Sequence, residues 1–136
     1  MSVAIQRLDH VNLWTTNLAE LIDFYGRILD LAPGPRPSFS FEGAWLYCGD
    51  QPVVHLVRVE SQPKADDPRI THFAFSARGL SDFIARLREN EVPFRMVEVP
   101  GFKLRQVNFH DPDGNHIHVD FTPDEPWPAD VPYQAR

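Results

Sequence analysis

Polar and apolar positions alternate through residues 8–14, LDHVNLW. Leu8, His10, Asn12 and Trp14 fall on one side, and Asp9, Val11 and Leu13 on the other, as in a strand with one apolar face. The period then changes. Leu18, Leu21, Ile22, Tyr25, Ile28 and Leu29 recur at helical spacing, and Asn17 with Glu20 three residues on reads as a capping box at the helix start. Pro33-Gly34-Pro35 follows the helix as a loop. Alternation returns over 38–48 and 52–59, with a hairpin turn at Gly49-Asp50-Gln51. In the second of these strands Val53, His55 and Val57 share a face, and Val54, Leu56 and Arg58 share the other. Residues 60–69 are polar, carry two prolines and show no period, which marks a linker.

The pattern then starts again. His72, Ala74 and Ser76 oppose Phe73 and Phe75. Ser81 is placed to cap a second helix with the stripe Phe83, Ile84, Leu87 and Val92. Strands follow near 94–99, 104–109 and 115–121, the last pair joined by the turn Asp111-Pro112-Asp113-Gly114. In 115–121, Ile117, Val119 and Phe121 point one way, and His116, His118 and Asp120 the other. His72 follows His10 by 62 positions and His118 follows His55 by 63, while Leu80, Phe83, Ile84 and Leu87 answer Leu18, Leu21, Ile22 and Tyr25. The expected fold is α+β: two βαβββ modules in tandem, about 5–59 and 70–121, followed by a proline-rich tail over 122–136. Apolar strand faces should lie under the helices. The histidine-bearing faces should line an open, curled mixed-sheet barrel with the helices outside. The tail, with Trp127 and Tyr133 among its prolines, is too apolar to be a free end and should lie along its own domain or a partner subunit.

Composition narrows the function. A net charge of −6 without a Lys/Arg run argues against nucleic acid. No apolar stretch reaches a signal peptide or the roughly 20 residues of a membrane span, and a lone cysteine, Cys48, excludes an intrachain disulfide. A cytoplasmic protein acting on a small molecule is expected.

Three segments together resemble the vicinal oxygen chelate superfamily of glyoxalase I, bleomycin-resistance proteins, fosfomycin-resistance enzymes and extradiol dioxygenases. They are Leu8-Asp9-His10-Val11 with its helix, Thr71-His72-Phe73-Ala74-Phe75 with Leu80, and the closing run from Asp111 to Val119. The resemblance spans about residues 5–122 and implies commonly dimeric proteins, hence a homodimer. It also implies metal ligands at His10 and His72 on the first strands and at His55 and His118 on the last strands. The last-strand position is usually glutamate in these enzymes and is His118 here. Position 55 would be glutamate in glyoxalase I, where it moves the substrate proton. A divalent transition metal such as zinc, nickel or iron suits imidazole ligands. His10, His72 and His118 are expected as the main ligands, with His55 a fourth ligand or a pocket residue.

Other candidates follow from position. Glu42, Glu98 and His116 are the available proton-transfer groups. Arg105 is placed to clamp a carboxylate, with Trp45, Tyr47 and Phe102 to contact substrate. The bland alternatives are ordinary: aromatics pack cores, strand histidines are often hydrogen-bonded pocket or surface residues, and His110 and Asp120 read as solvated. Three functions are compatible: a metal-dependent lyase or isomerase of glyoxalase type, an iron-dependent ring-cleaving dioxygenase, and a metal-free protein that sequesters an antibiotic or aromatic metabolite.

Overall fold

The computed structural model describes residues 2–64 and 66–136. The chain forms two compact units, Met1–Ala65 and Asp66–Arg136. In the first, β1 (Val11–Thr15) leads into α1 (Leu18–Leu29), then β2 (Ala32–Pro33), β3 (Gly43–Cys48) and β4 (Gln51–Arg58). Its sheet runs β1-β4-β3-β2, with β1 parallel to β4 and the other pairs antiparallel. The second unit repeats this plan. β5 (Phe73–Ser76), α2 (Leu80–Glu89), β6 (Arg95–Glu98), β7 (Arg105–His110) and β8 (His116–Phe121) give the order β5-β8-β7-β6, with β5 parallel to β8. Each helix is the crossover that a parallel strand pair requires. The architecture is thus α+β with two βαβββ modules, as two mixed four-stranded sheets and no closed barrel. No described helix is long and apolar enough to cross a membrane.

Packing follows the alternation. Leu21, Phe24, Tyr25 and Ile28 of α1 are buried with Ala44, Leu46, Val54 and Leu56 of β3 and β4. In the second unit Leu80, Phe83, Ile84 and Leu87 are buried with Val107, Phe109, Ile117, Val119 and Phe121, and Phe83 touches both Phe109 and Phe121. The opposite strand faces carry the histidines.

Several boundaries differ from expectation. The second strand of the first module, β2, is Ala32–Pro33, inside the proline cluster expected to be loop; it pairs with Leu46 and Tyr47 at the sheet edge. Proline is tolerated there because an edge strand leaves one row of N–H positions unpaired. Residues 38–42 alternate but are not strand. Instead, Phe39 and Phe41 stack on each other at 4.8 Å beneath the Arg36 guanidinium. Gln51 belongs to β4, so the hairpin turn is Gly49-Asp50, with Gly49 at φ 61° as a two-residue turn with glycine first demands. Asn17 is the N-cap residue of α1 but makes no side-chain cap bond to it. Ser81 lies within α2, whose N-cap is Gly79; the Glu125 carboxylate of the tail accepts the N–H groups of Gly79 and Leu80 at 2.9 and 2.7 Å.

The tail lies along its own unit. Glu98 bridges Ala135, Glu98 N–H donates to Gln134 O, and Arg136 N–H donates to Glu98 O. Trp127 packs on Tyr133, and Val131 is buried.

Candidate functional site

Each module brings two of the expected histidines together by the same diagonal. In the first, Asn12 pairs with His55 across β1 and β4, and His10 stands two residues before Asn12. In the second, Ala74 pairs with His118 across β5 and β8, and His72 stands two residues before Ala74. Both first-strand histidines sit just outside the ladder, and both are exposed. The ring centroids lie 3.8 Å apart for His10 and His55 and 4.8 Å apart for His72 and His118.

Hydrogen bonds decide which nitrogen each ring offers. His10 Nδ1 meets Asp9 Oδ1 at 2.7 Å, and His118 Nδ1 meets Asp120 Oδ1 at 2.7 Å. An ionised carboxylate only accepts, so both Nδ1 atoms donate, and in the neutral ring the lone pair is on Nε2. A carboxylate behind Nδ1 is the arrangement that fixes the tautomer of metal-binding histidines. His72 Nδ1 bonds the Thr71 hydroxyl at 2.9 Å. His55 differs: its Nε2 bonds Pro52 O at 3.1 Å, and its ring lies between His10 and Trp45, the latter at 4.1 Å and 11°. Burial, with smaller help from His10, holds the His55 imidazole pKa below its ordinary 6.5. By donor chemistry His10, His72 and His118 fit a nitrogen-ligated metal, while His55 fits a pocket wall better. Within neither unit do three described His, Cys, Asp or Glu side chains form a group able to hold a metal; each supplies a pair.

The other candidates separate. His116 joins the second pair, 5.1 Å from His72 and 6.1 Å from His118, with its Nε2 on Asn108 Oδ1 at 2.9 Å. Burial first, then His72, His110 and His118, hold its pKa below 6.5. His110 is exposed but pairs across the β7–β8 ladder with His116, ring to ring at 5.3 Å. Glu42 is exposed, 3.9 Å from Arg58. Glu98 accepts from Tyr133 and Arg105, and these bonds, that from Tyr133 foremost, draw its carboxyl below the usual 4.5. Arg105 is spent on Glu98 and on the carbonyls of Lys103, Pro123 and Glu125. Tyr47 donates to Pro35 O at 2.6 Å and packs against Gly34, holding the β2 edge. Phe102 is 81% exposed at the β6–β7 turn.

Trp45 alone of the substrate-contact candidates stands beside a histidine. It helps line a cavity of about 410 Å³ in the first unit, with Asn12, Trp14, Arg36, Phe39, Phe41 and His55. Asn12 and Trp14 share the His10 face by simple alternation, so a period-two reading reaches them. Arg36 sits in an aperiodic proline cluster and gives no such signal.

A family model described as the Glyoxalase/Bleomycin resistance protein/Dioxygenase superfamily matches residues 7–119. The chain belongs to that superfamily. "Glyoxylase I 4" of Arabidopsis thaliana is 33% identical over 120 residues, covering 82% of this chain and 68% of that protein. "Manganese-dependent 2,3-dihydroxybiphenyl 1,2-dioxygenase" of Geobacillus genomosp. 3 is 30% identical over 100 residues, 69% of this chain but 31% of the dioxygenase. The match therefore spans about a third of that relative. Among solved structures, a glyoxalase family protein from Bacillus anthracis aligns with a TM-score of 0.74 at 23% identity, over 90% of this chain and 99% of that one. At that identity the likeness speaks to the superfamily fold alone.

Proposed function

We propose that this superfamily member is a metal-dependent enzyme of glyoxalase type, a lyase or isomerase acting on a small oxygenated metabolite through two neighbouring oxygens. One observation carries the reading. The two modules set histidine pairs on the same strand diagonal, and each pair contains a ring whose Nδ1 is held by an aspartate. His10, His72 and His118 would hold a divalent transition metal, zinc, nickel or iron. Bound there, it would supply Lewis-acid charge to developing oxyanions. The chain supplies the rest. Asp9 and Asp120 fix the ring tautomers, and His55 and Trp45 form a flat wall. Among the three proton-transfer candidates His116 is the best supported, because it lies against His72 and burial draws its pKa below the ordinary 6.5, whereas Glu42 faces Arg58 and Glu98 is bonded to Tyr133 and Arg105. Elemental analysis of protein prepared without a histidine tag should find about one such metal per chain, and His72→Ala should remove it. Undiminished metal in that variant sinks the proposal.

A second reading has its own support. The His10–His55–Trp45 stack beside an aromatic cavity suits a metal-free protein that sequesters an aromatic molecule. Metal-free protein stabilised against heat by aromatic ligands and not by metals would favour it over the enzyme.

A further inference from the structure

Several arginines in this chain stand beside carboxylates. Arg7, Arg27, Arg58, Arg78, Arg88 and Arg105 each stand within 4 Å of an Asp or Glu oxygen. Arg36 pairs with none of the described carboxylates, in a chain where 19 acidic residues outnumber 13 basic ones. Its Nη2 donates to Phe41 O at 3.1 Å, and its Nε is buried with no hydrogen-bond partner. The guanidinium lies over the Phe39 and Phe41 rings at 4.8 and 5.2 Å and against Gly43, where any Cβ would meet Nη2 at 2.8 Å. Arginine stays charged under all ordinary conditions, and a buried donor left unmatched is costly. Such a group marks a place where an acceptor belongs.

The surroundings define that acceptor. Arg36 is the only Lys or Arg among the residues lining the cavity of about 410 Å³, and the rest of the wall is mainly apolar, with the aromatic rings of Trp14, Phe39, Phe41 and Trp45 and the flat His55 ring behind Trp45. Inorganic phosphate or a nucleotide phosphate would want several converging donors, and beside Arg36 the wall offers only Asn12 and His55. A cationic ligand would meet the guanidinium's repulsion. A planar ring fills the apolar volume by stacking, and one carboxylate matches the single fork of donors.

We propose that this cavity binds a planar aromatic acid, its carboxylate on Arg36 and its ring against the Trp45 and Phe39 wall. The proposal rests on the reading that the His55 side of the first unit faces the ligand, and not on a metal being held there. The test uses two probes of nearly equal shape, 2-naphthoate and the neutral 2-naphthamide. Each is titrated against full-length protein in chelator, with tryptophan fluorescence as the readout. The acid should bind about tenfold tighter or more, the worth of one charge-assisted hydrogen bond. Arg36→Met should bring the acid to the level of the amide, and amide binding kept within a few-fold of wild type shows that the variant's cavity is intact. Equal affinities in the wild-type protein, or a preference that survives Arg36→Met, would overturn it. If the methionine variant does not fold, the arginine Nε–H resonances of the wild-type protein decide. One should shift with naphthoate and not with naphthamide, and a spectrum unmoved by naphthoate overturns the proposal. A preference that appears only after zinc is added would overturn it and leave the metal reading standing. Conversely, failure to find metal by elemental analysis leaves the acid preference where it is.

Discussion

Asp120 illustrates how two residues on one strand face acquire a joint role. Alternation places it beside His118, and a strand-end carboxylate would ordinarily be solvated. In the folded unit it accepts from His118 Nδ1 at 2.7 Å, and His118 itself is only 5% exposed. If the pair serves a metal, Asp120→Asn should weaken metal affinity about 10–100-fold, because the amide no longer fixes the ring tautomer. A competition titration with a chromophoric chelator measures this, and an unchanged constant in a variant that melts like wild type would count against the role. His55, Trp45 and His118 were readable as positions on the strand faces opposite the helices, and His10 by the same alternation two residues before Asn12. Arg36 was not, because what sets it apart is a buried Nε without a hydrogen-bond partner, and a sequence does not show which polar groups meet. For the same reason Arg105 looked available for substrate while the fold commits it to Glu98 and the tail.

Secondary structure was readable where a period persisted. Both helical stripes and the strands β4, β7 and β8 follow from spacing, because burial on one face imposes that spacing. β2 leaves no mark in the sequence: two residues carry no period, and its existence depends on pairing with Leu46 and Tyr47. Capping of α2 is the second case. Ser81 matches the local signal, yet Glu125, 45 positions from Leu80, provides the acceptor. A carboxylate at that end also meets the positive pole of the helix. Glu125→Ala should therefore cost about 1–2 kcal/mol of stability, whereas Ser81→Ala should cost little. Urea denaturation of the two variants checks this, and a larger loss for Ser81→Ala would reverse the assignment.

At the level of the full chain, a duplicated module is built twice with one topology and is finished by the tail along β6. The Tyr133–Glu98–Arg105 contacts that fasten this tail are acid-sensitive. Glu98 has a folded pKa below 4.5, so its contribution is fully present above pH 4.5 and is lost as the pH falls through the lower folded value. Urea midpoints should consequently drop faster with acidification in the wild-type protein than in Tyr133→Phe; parallel profiles would show that the tail contact carries no such linkage. What could be read from residue order alone is the duplication, the two helices, most strands and the faces carrying the histidines, because solvent exclusion writes one period per element and a repeated element repeats it. Which nitrogen each histidine presents, which arginine keeps a buried Nε unmatched and which acid caps α2 were settled only by folding. Those facts depend on contacts between residues far apart in the chain, and no local pattern encodes them.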